Sequence, residues 1–201
     1  MAKAVAEGEG RDAAATILKA ALEVFVRDGF HGTSIRAIAK EAGVSIALIY
    51  YHFPSKEEIL RTMMLRVTSD MLADLRAARD AAGPKPADRL AALVRVHVLL
   101  HTRRQAESFV GNTELRSLGP DALAEVMEAR DAISAVYKDV VGEGLSDGSF
   151  RCEHPAEATL AILNMCTSVA GWYKDGGRRT PEALAEIYVG FALSILGSAK
   201  G

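Results

Sequence analysis

Apolar residues near the start of the chain recur at intervals of three and four: Ile17, Leu18, Ala21, Leu22 and Phe25 fall on one stripe of a helix. Asp12 offers a side-chain cap for the first amides of that helix, and Gly29 stands where a helix commonly ends in a left-handed residue. Two short helices follow. Thr33 caps the first, with Ile35, Ile38 and Ala39 turned inward, and Gly43 ends it. Ser45 opens the second, which runs through Tyr51 until Pro54 stops it.

Ser55 and Glu58 make a capping box, Ser-Lys-Glu-Glu, at the head of a fourth helix running to Ala82, where Gly83, Pro84 and Pro86 break it. Helices are expected over 87–103 and 106–117, and Gly119-Pro120 starts another that reaches Leu145. Ser146-Asp147-Gly148-Ser149 reads as a turn. Pro155 then opens 155–174, and Thr180-Pro181-Glu182 opens a last helix through Leu196.

These last two helices carry apolar residues around most of their circumference: Leu160, Ile162, Leu163, Met165, Val169 and Trp172 on one, and Leu184, Ile187, Val189, Phe191, Leu193 and Ile195 on the other. A helix apolar all round needs cover all round. Ala161, Ala170, Gly171, Gly190 and Ala192 would allow close approach, so the pattern predicts a two-fold homodimer built through these helices as a four-helix bundle. Cover by the middle helices of the same chain is the alternative.

Composition narrows the class. Aromatics make up only 6% of the 201 residues, and strict alternation is absent, which leaves an all-α chain. The net charge of -2 excludes a polycation that coats nucleic acid, yet residues 11–66 hold eight Lys or Arg against six Asp or Glu, while 67–201 hold fifteen against eighteen. Cys152 and Cys166 lack metal-type spacing, and no apolar run is long enough to span a bilayer, so a reducing, cytoplasmic setting without membrane contact is expected. The small, polar residues 1–10 are expected to be loose.

Two short helices around a Gly-containing turn are the units of a helix-turn-helix, whose second helix enters the DNA major groove. The run Tyr50-Tyr51-His52-Phe53-Pro54-Ser55-Lys56 adds hydroxyl, imidazole and ammonium donors suited to phosphates where that helix exits. Thr33-Ser34-Ile35-Arg36-Ala37-Ile38-Ala39, Ala42-Gly43-Val44-Ser45 and Tyr50 through Glu58 resemble the DNA-binding signature of the TetR family over residues 12–60. That resemblance implies an N-terminal three-helix helix-turn-helix DNA-binding domain, 11–56, and a C-terminal helical ligand-binding and dimerisation domain, 57–201.

Carried over by position, it implies phosphate contacts from Thr33, Arg36, Tyr51, His52 and Lys56, with Ser34 beside them. It puts Ser45, Ala47, Leu48 and Tyr50 near bases of a double-stranded operator. Ser45 can donate or accept, Ala47 can touch a thymine methyl, and Tyr50 brings a ring and a hydroxyl. Ile46 departs from the polar or basic residue common there, which leaves few side chains for bidentate base readout. Duller roles stand beside these. Val44 and Leu48 suit the core, Phe53 packs, Tyr50 can brace the first helix, and Arg36 can be a solvated helix charge.

Residues 83–201 contain no phosphate-cradling Gly loop, nucleophile elbow or paired carboxylates, so no catalytic residue and no cofactor is expected, and a helical-bundle enzyme is only the remote alternative. His97 and His101 lie four apart, but without a third ligand at suitable spacing they read as a half-exposed helix face and not as a metal site. Polar residues inside apolar helices cost free energy to bury unless something pairs with them. Asn112, Glu114, Arg130, Asn164 and Tyr173 are of this kind. Together with Leu93, Val96, Leu100, Phe109, Met127, Met165 and Trp172, these five could line a ligand pocket between helices or simply bond one another in the core.

The run from Asn112 through Glu128-Ala-Arg130-Asp131, Gly148-Ser-Phe150 and Gly171-Trp172-Tyr173 to Thr180-Pro181-Glu182 resembles TetR-type regulators of fatty-acid and steroid catabolism. This implies a repressor released by a small lipophilic inducer, an acyl-CoA thioester, with Arg130, Arg178 and Arg179 suited to its carbonyl or phosphate oxygens. A drug or aromatic compound, as sensed by efflux regulators, is the rival inducer.

Overall fold

The computed structural model describes residues 12–197 in full and residues 2–11 as helix backbone alone, so the expected loose segment 1–10 lies outside the fully described residues. Among the described residues the chain is all-α. Its helices are α1 (Ala2–Gly32), α2 (Ile35–Ala42), α3 (Ile46–His52), α4 (Lys56–Ala81), α5 (Pro86–Arg103), α6 (Gln105–Thr113), α7 (Pro120–Ser146), α8 (Pro155–Trp172) and α9 (Pro181–Ile195). None of them is long and apolar enough to cross a membrane.

Three boundaries differ from the sequence expectation. Asp12 lies inside α1 and not at its cap. Ser34, not Thr33, caps α2, its hydroxyl oxygen accepting from the Ala37 amide at 3.1 Å. α6 stops at Thr113 instead of 117, and Leu115–Ser117 tightens into a 3-10 turn. Helical geometry is disfavoured for the residue before a proline, so Gly119-Pro120 keeps this stretch from running on into α7.

The chain divides into two compact units. The first holds α1 to α3, the start of α4 and residues 110–124. Its buried side chains include Ile17, Val24 and Phe25 of α1, Ile38 of α2, Ile49 of α3, and Ile59 and Leu60 of α4. Two glycines set its corners. The α1 backbone leaves helical geometry at Gly29 (φ 74°, ψ 161°), and Gly43 takes the left-handed conformation (φ 66°, ψ 29°) while its amide caps α2.

The second unit, residues 66–109 and those from 125 onward, is built around α5, which packs against α8 and α9. Leu90, Leu93, Val94 and Val98 of α5 share its core with Val136 and Val140 of α7, Ile162 and Val169 of α8, and Leu184 and Val189 of α9. Arg95 reaches Glu186 and Arg103 reaches Glu182 (2.9 Å), two exposed pairs that orient α5 on α9 more than they stabilise it. α7 ends in the expected turn, where the Phe150 amide donates to the Gly144 carbonyl at 2.8 Å. A Cβ on Gly144 would lie 2.1 Å from Cδ2 of the Phe150 ring, so only glycine fits there.

Helices α8 and α9 are buried on one side. Ile162, Cys166 and Val169, and Leu184, Val189 and Ala192, face the core, while Leu160, Trp172, Phe191 and Ile195 remain exposed. Gly171 and Gly190 share that open side, and a Cβ added to either would meet nothing within 4 Å.

Candidate nucleic-acid interface and sensor core

Ser45 fixes the start of α3, its hydroxyl oxygen accepting from the Leu48 amide at 3.1 Å, and the Phe53 amide closes the end by donating to Ile49 at 2.7 Å. Buried Ile49 and Phe53 anchor the helix, which leaves its opposite face in solvent. Ser45, Ile46 and Ala47 are exposed there, with Tyr50 at 53% and Tyr51 at 82% exposure. Tyr51 meets the half-buried His52 ring edge-on at 5.1 Å. Leu48 and Val44 are half-buried and straddle core and surface. Ser34 and Arg36 are exposed on α2. This is a protruding helix with small residues at its start and two phenol groups at its end. Such a surface fits a groove floor flanked by phosphates.

Two of the expected phosphate ligands are occupied elsewhere. Thr33 is buried, and its hydroxyl donates to the Gly29 carbonyl at 2.8 Å and lies 3.4 Å from that of Val24. Lys56 turns its ammonium inward, donating to the carbonyls of Phe30 (2.5 Å) and Thr33 (2.7 Å), and sits 4.3 Å from the Phe30 ring centre. Burial pulls its pKa below the ordinary lysine value, with Glu114 opposing the shift. Both residues thus hold the corner after Gly29, where α1 ends and four carbonyls would otherwise lack donors.

The loop before α7 docks on the same unit. Glu57 accepts from the Gly119 amide at 2.5 Å, which caps the positive end of α7. Ser117 Oγ lies 3.2 Å from His31 Nε2 and donates to Glu114 at 2.7 Å. Glu114, expected in the ligand pocket, therefore serves this loop. Asn112 is half-buried in the same unit.

In the second unit the expected pocket residues scatter. Leu93, Leu100 and Tyr173 are buried, and Val96 and Met165 pack half-buried against the core. Phe109, Met127 and Trp172 are exposed, as is Arg178 in the loop after α8. The backbone carbonyl of Tyr173 is capped, with that of Ala170, by Gln105 Nε2 at 2.5 and 3.0 Å. A cleft of about 440 Å³ runs beside α5, floored by Ala77, Val96, Leu99 and Leu100 and edged by Asp74, Arg103 and Arg104. Arg104 is held there by Asp70 (2.8 Å) and Glu107 (3.2 Å).

His97 and His101 are not a half-exposed face. Both are buried, at 2% and 5% exposure. His97 Nδ1 lies 3.1 Å from Tyr137 Oη and its Nε2 lies 3.2 Å from Thr167 Oγ1, while the two imidazole rings are 4.7 Å apart. His101 Nδ1 is 3.0 Å from the His97 carbonyl. Burial holds both imidazoles well below the usual histidine pKa, His101 at about 4, with the nearby Arg130 guanidinium adding to the effect on His101. Burial also lowers the pKa of Arg130, raises that of Tyr137, and pushes the Cys166 thiol up to about 12. Four-residue spacing was the sequence signal for this pair, but Tyr137 and Thr167 come from helices that no local pattern links to it.

Residues 17–63 match the family model for bacterial regulatory proteins of the tetR family, and residues 83–196 match that for the tetracyclin repressor-like C-terminal domain. Among curated proteins, the chain is 25% identical over 187 residues to the HTH-type transcriptional repressor KstR2 of Mycolicibacterium smegmatis, covering 92% of this chain and 91% of that protein. It is 43% identical to the HTH-type transcriptional regulator RutR of Escherichia coli over 68 residues, 34% of this chain and 32% of RutR. A bacterial regulatory protein of the tetR family from Rhodococcus RHA1 superposes with a TM-score of 0.88 at 32% identity, covering 94% of this chain and 98% of that one. AibR in complex with isovaleryl coenzyme A and operator DNA shares the fold at a TM-score of 0.81 and 22% identity, over 92% of this chain and 99% of that one. The two family models together span both the helix-turn-helix and the helical region after it, and the chain belongs to the TetR family of bacterial regulators.

Proposed function

We propose that the chain is a homodimeric transcriptional repressor that grips a palindromic operator with α3 and releases it on binding a small lipophilic inducer, an acyl-CoA thioester. Residues 11–56 form the DNA-reading domain and 57–201 the sensing and dimerising domain. The observation that carries this reading is the exposed face of α3, where Ser45, Ile46, Ala47, Tyr50 and Tyr51 stand in solvent on a helix anchored from behind by Ile49 and Phe53. Arg36, Tyr51 and His52 hold phosphates, with Ser34 beside them, while Thr33 and Lys56 hold the corner that presents α2.

The homodimer rests on the open side of α8 and α9. Leu160, Trp172, Phe191 and Ile195 form an apolar surface there, and Gly171 and Gly190 leave room for a second copy to approach. The KstR2 repressors, similar along nine-tenths of the chain, support repression as the mode of control. AibR supports the ligand class at the level of the fold, since that protein holds an acyl-CoA and DNA in one complex. Relief of repression then requires only that the thioester bind better to a form whose two α3 helices no longer match successive major grooves.

Gel retardation of the chain's own upstream intergenic DNA, at stated salt and with a panel of fatty and steroid acyl-CoAs, tests this. Retardation that is reversed by a thioester and not by its free acid supports the whole reading. Retardation unaffected by every thioester keeps the repressor and moves the inducer to the drug or aromatic class, whereas no retardation of that DNA removes the assignment of α3 to this site.

A further inference from the structure

The face that α3 turns to solvent lacks the groups that usually read bases. From Ser45 to His52 the sequence holds no Arg, Lys, Asn, Gln, Asp or Glu. Its exposed side chains are Ser45, Ile46 (40%), Ala47, Tyr50 (53%) and Tyr51 (82%). Ile46 lies four residues before Tyr50 and Ala47 three, so these side chains share one side of the helix. Ile49 and Phe53, buried behind them, hold that side outward.

In the major groove, guanine is read by a guanidinium or ammonium on O6 and N7, adenine by a carboxamide on N6 and N7, and cytosine by a carboxylate on N4. None of these groups is on α3. Two hydroxyls remain beside the apolar surface, those of Ser45 and Tyr50. The Ser45 oxygen already accepts from the Leu48 amide, which leaves its proton to donate. Both purines present N7 to the major groove, so a single donor finds an acceptor at every base pair and distinguishes none of them. The 5-methyl group of thymine is the apolar feature of that groove edge. Ile46, Ala47 and the Tyr50 ring offer it matching surface.

We propose that α3 selects its operator by the 5-methyl groups of thymine, which pack against Ile46, Ala47 and the Tyr50 ring, with Ile46 as the principal contact. The hydroxyls of Ser45 and Tyr50 fix register without choosing the base. Each half-site is then defined by where its thymines fall on the two strands. This rests on the assignment of α3 to the major groove and states what the helix recognises there. A methyl group taken out of water against aliphatic surface strengthens binding about fourfold. A palindrome presents each such methyl twice to a dimer, so a symmetric pair amounts to about fifteenfold.

The test lets the full-length protein enrich duplexes from a random library and resynthesises the enriched duplex with deoxyuridine for thymine, one symmetric pair at a time. That change removes the methyl and keeps every hydrogen-bonding group of the base pair. By fluorescence anisotropy at fixed salt, at least one pair should lower affinity by about fifteenfold. At the same positions, 5-methylcytosine opposite guanine should bind better than cytosine opposite guanine. Ile46→Ala should bind the thymine duplex more weakly and lose most of its sensitivity to uracil at one pair, which separates contact from any effect of uracil on duplex stiffness. Thermal melting confirms that the variant is folded. A duplex indifferent to uracil at every thymine, or a uracil effect undiminished in Ile46→Ala, overturns the proposal and leaves α3 on DNA. Loss of affinity with 7-deazaguanine but not with uracil overturns it too, and makes the exposed Arg36 of α2 the base reader. Enrichment of no duplex overturns the assignment of α3 and the proposal together.

Discussion

Acidification should destabilise this protein through two histidines before its carboxylates are protonated. His101 has a folded-state pKa of about 4 against 6.5 for an unperturbed imidazole, and His97 is shifted in the same direction. The unfolded chain therefore binds protons that the native core refuses, and stability present above pH 6.5 is lost as pH falls toward 4. At pH 5 His101 alone contributes a loss of about 2 kcal/mol, rising to about 3 kcal/mol below pH 4, and His97 adds to it. Glu182 and Glu186, whose pKa values are lowered by hydrogen bonds that include those from Arg103 and Arg95, lose their stabilising effect only below the ordinary carboxylate range, so the interval from pH 7.5 to 5 isolates the imidazoles. Urea unfolding followed by circular dichroism at fixed protein concentration measures this, because the stability of the proposed dimer would depend on concentration. In His101→Gln the loss between pH 7.5 and 5 should shrink by about 2 kcal/mol. A wild-type stability that is flat over this interval, or an unchanged pH slope in the variant, would refute the burial argument for His101.

Further outcomes are expected from other parts of the molecule. Arg36→Ala should lower operator affinity and reduce the slope of log affinity against log salt by about 0.9, whereas Lys56→Met should leave that slope unchanged and appear instead as lower thermal stability. An equal slope change in the two variants would return Lys56 to the phosphates. Gly144→Ala forces Phe150 aside and should cost about 1–3 kcal/mol in urea unfolding; neutrality would mean that the turn after α7 shifts freely. Phe191→Asp places a charge on the open side of α9 and should convert a dimer into a helical monomer in sedimentation, while a variant that still dimerises would move the interface off this face.

The helix order was legible because it depends on local signals: three-and-four spacing, Ser45 and Ser55 as caps, Gly43 as a left-handed stop, and prolines at the starts of α5, α7, α8 and α9. Cap identity failed once. Thr33 and Ser34 are adjacent hydroxyls, and which of them meets the α2 amides is decided by how the chain leaves Gly29, a tertiary matter. The corner lysine failed for the same reason. Lys56 lies beside the donors of the α3 exit in sequence, but its reach allows it to find the Phe30 and Thr33 carbonyls, which a linear pattern does not display. The exposed residues of α3 were legible as a face, and Ile46 is indeed on it.

The sensor core was the least legible part, and the reason bears on how an inducer can act. His97 and His101 look like a surface pair until α7 supplies Tyr137 and α8 supplies Thr167, contacts separated by tens of residues. Because both imidazoles are buried and held below the usual histidine pKa, they cannot respond to a ligand by changing charge near neutral pH; they can respond only through geometry and hydrogen bonding. The energetic demand is then definite. Taking an operator-bound population from 99:1 to 1:99 needs a preference of about 10⁴ for the released form. One hydrogen bond gives a fraction of that, so for the proposed thioester the apolar chain would have to provide most of it by packing differently in the two forms. Under the thioester reading proposed above, selectivity and release would come from different parts of one ligand, its polar groups deciding which thioester enters and its hydrocarbon deciding whether DNA is let go.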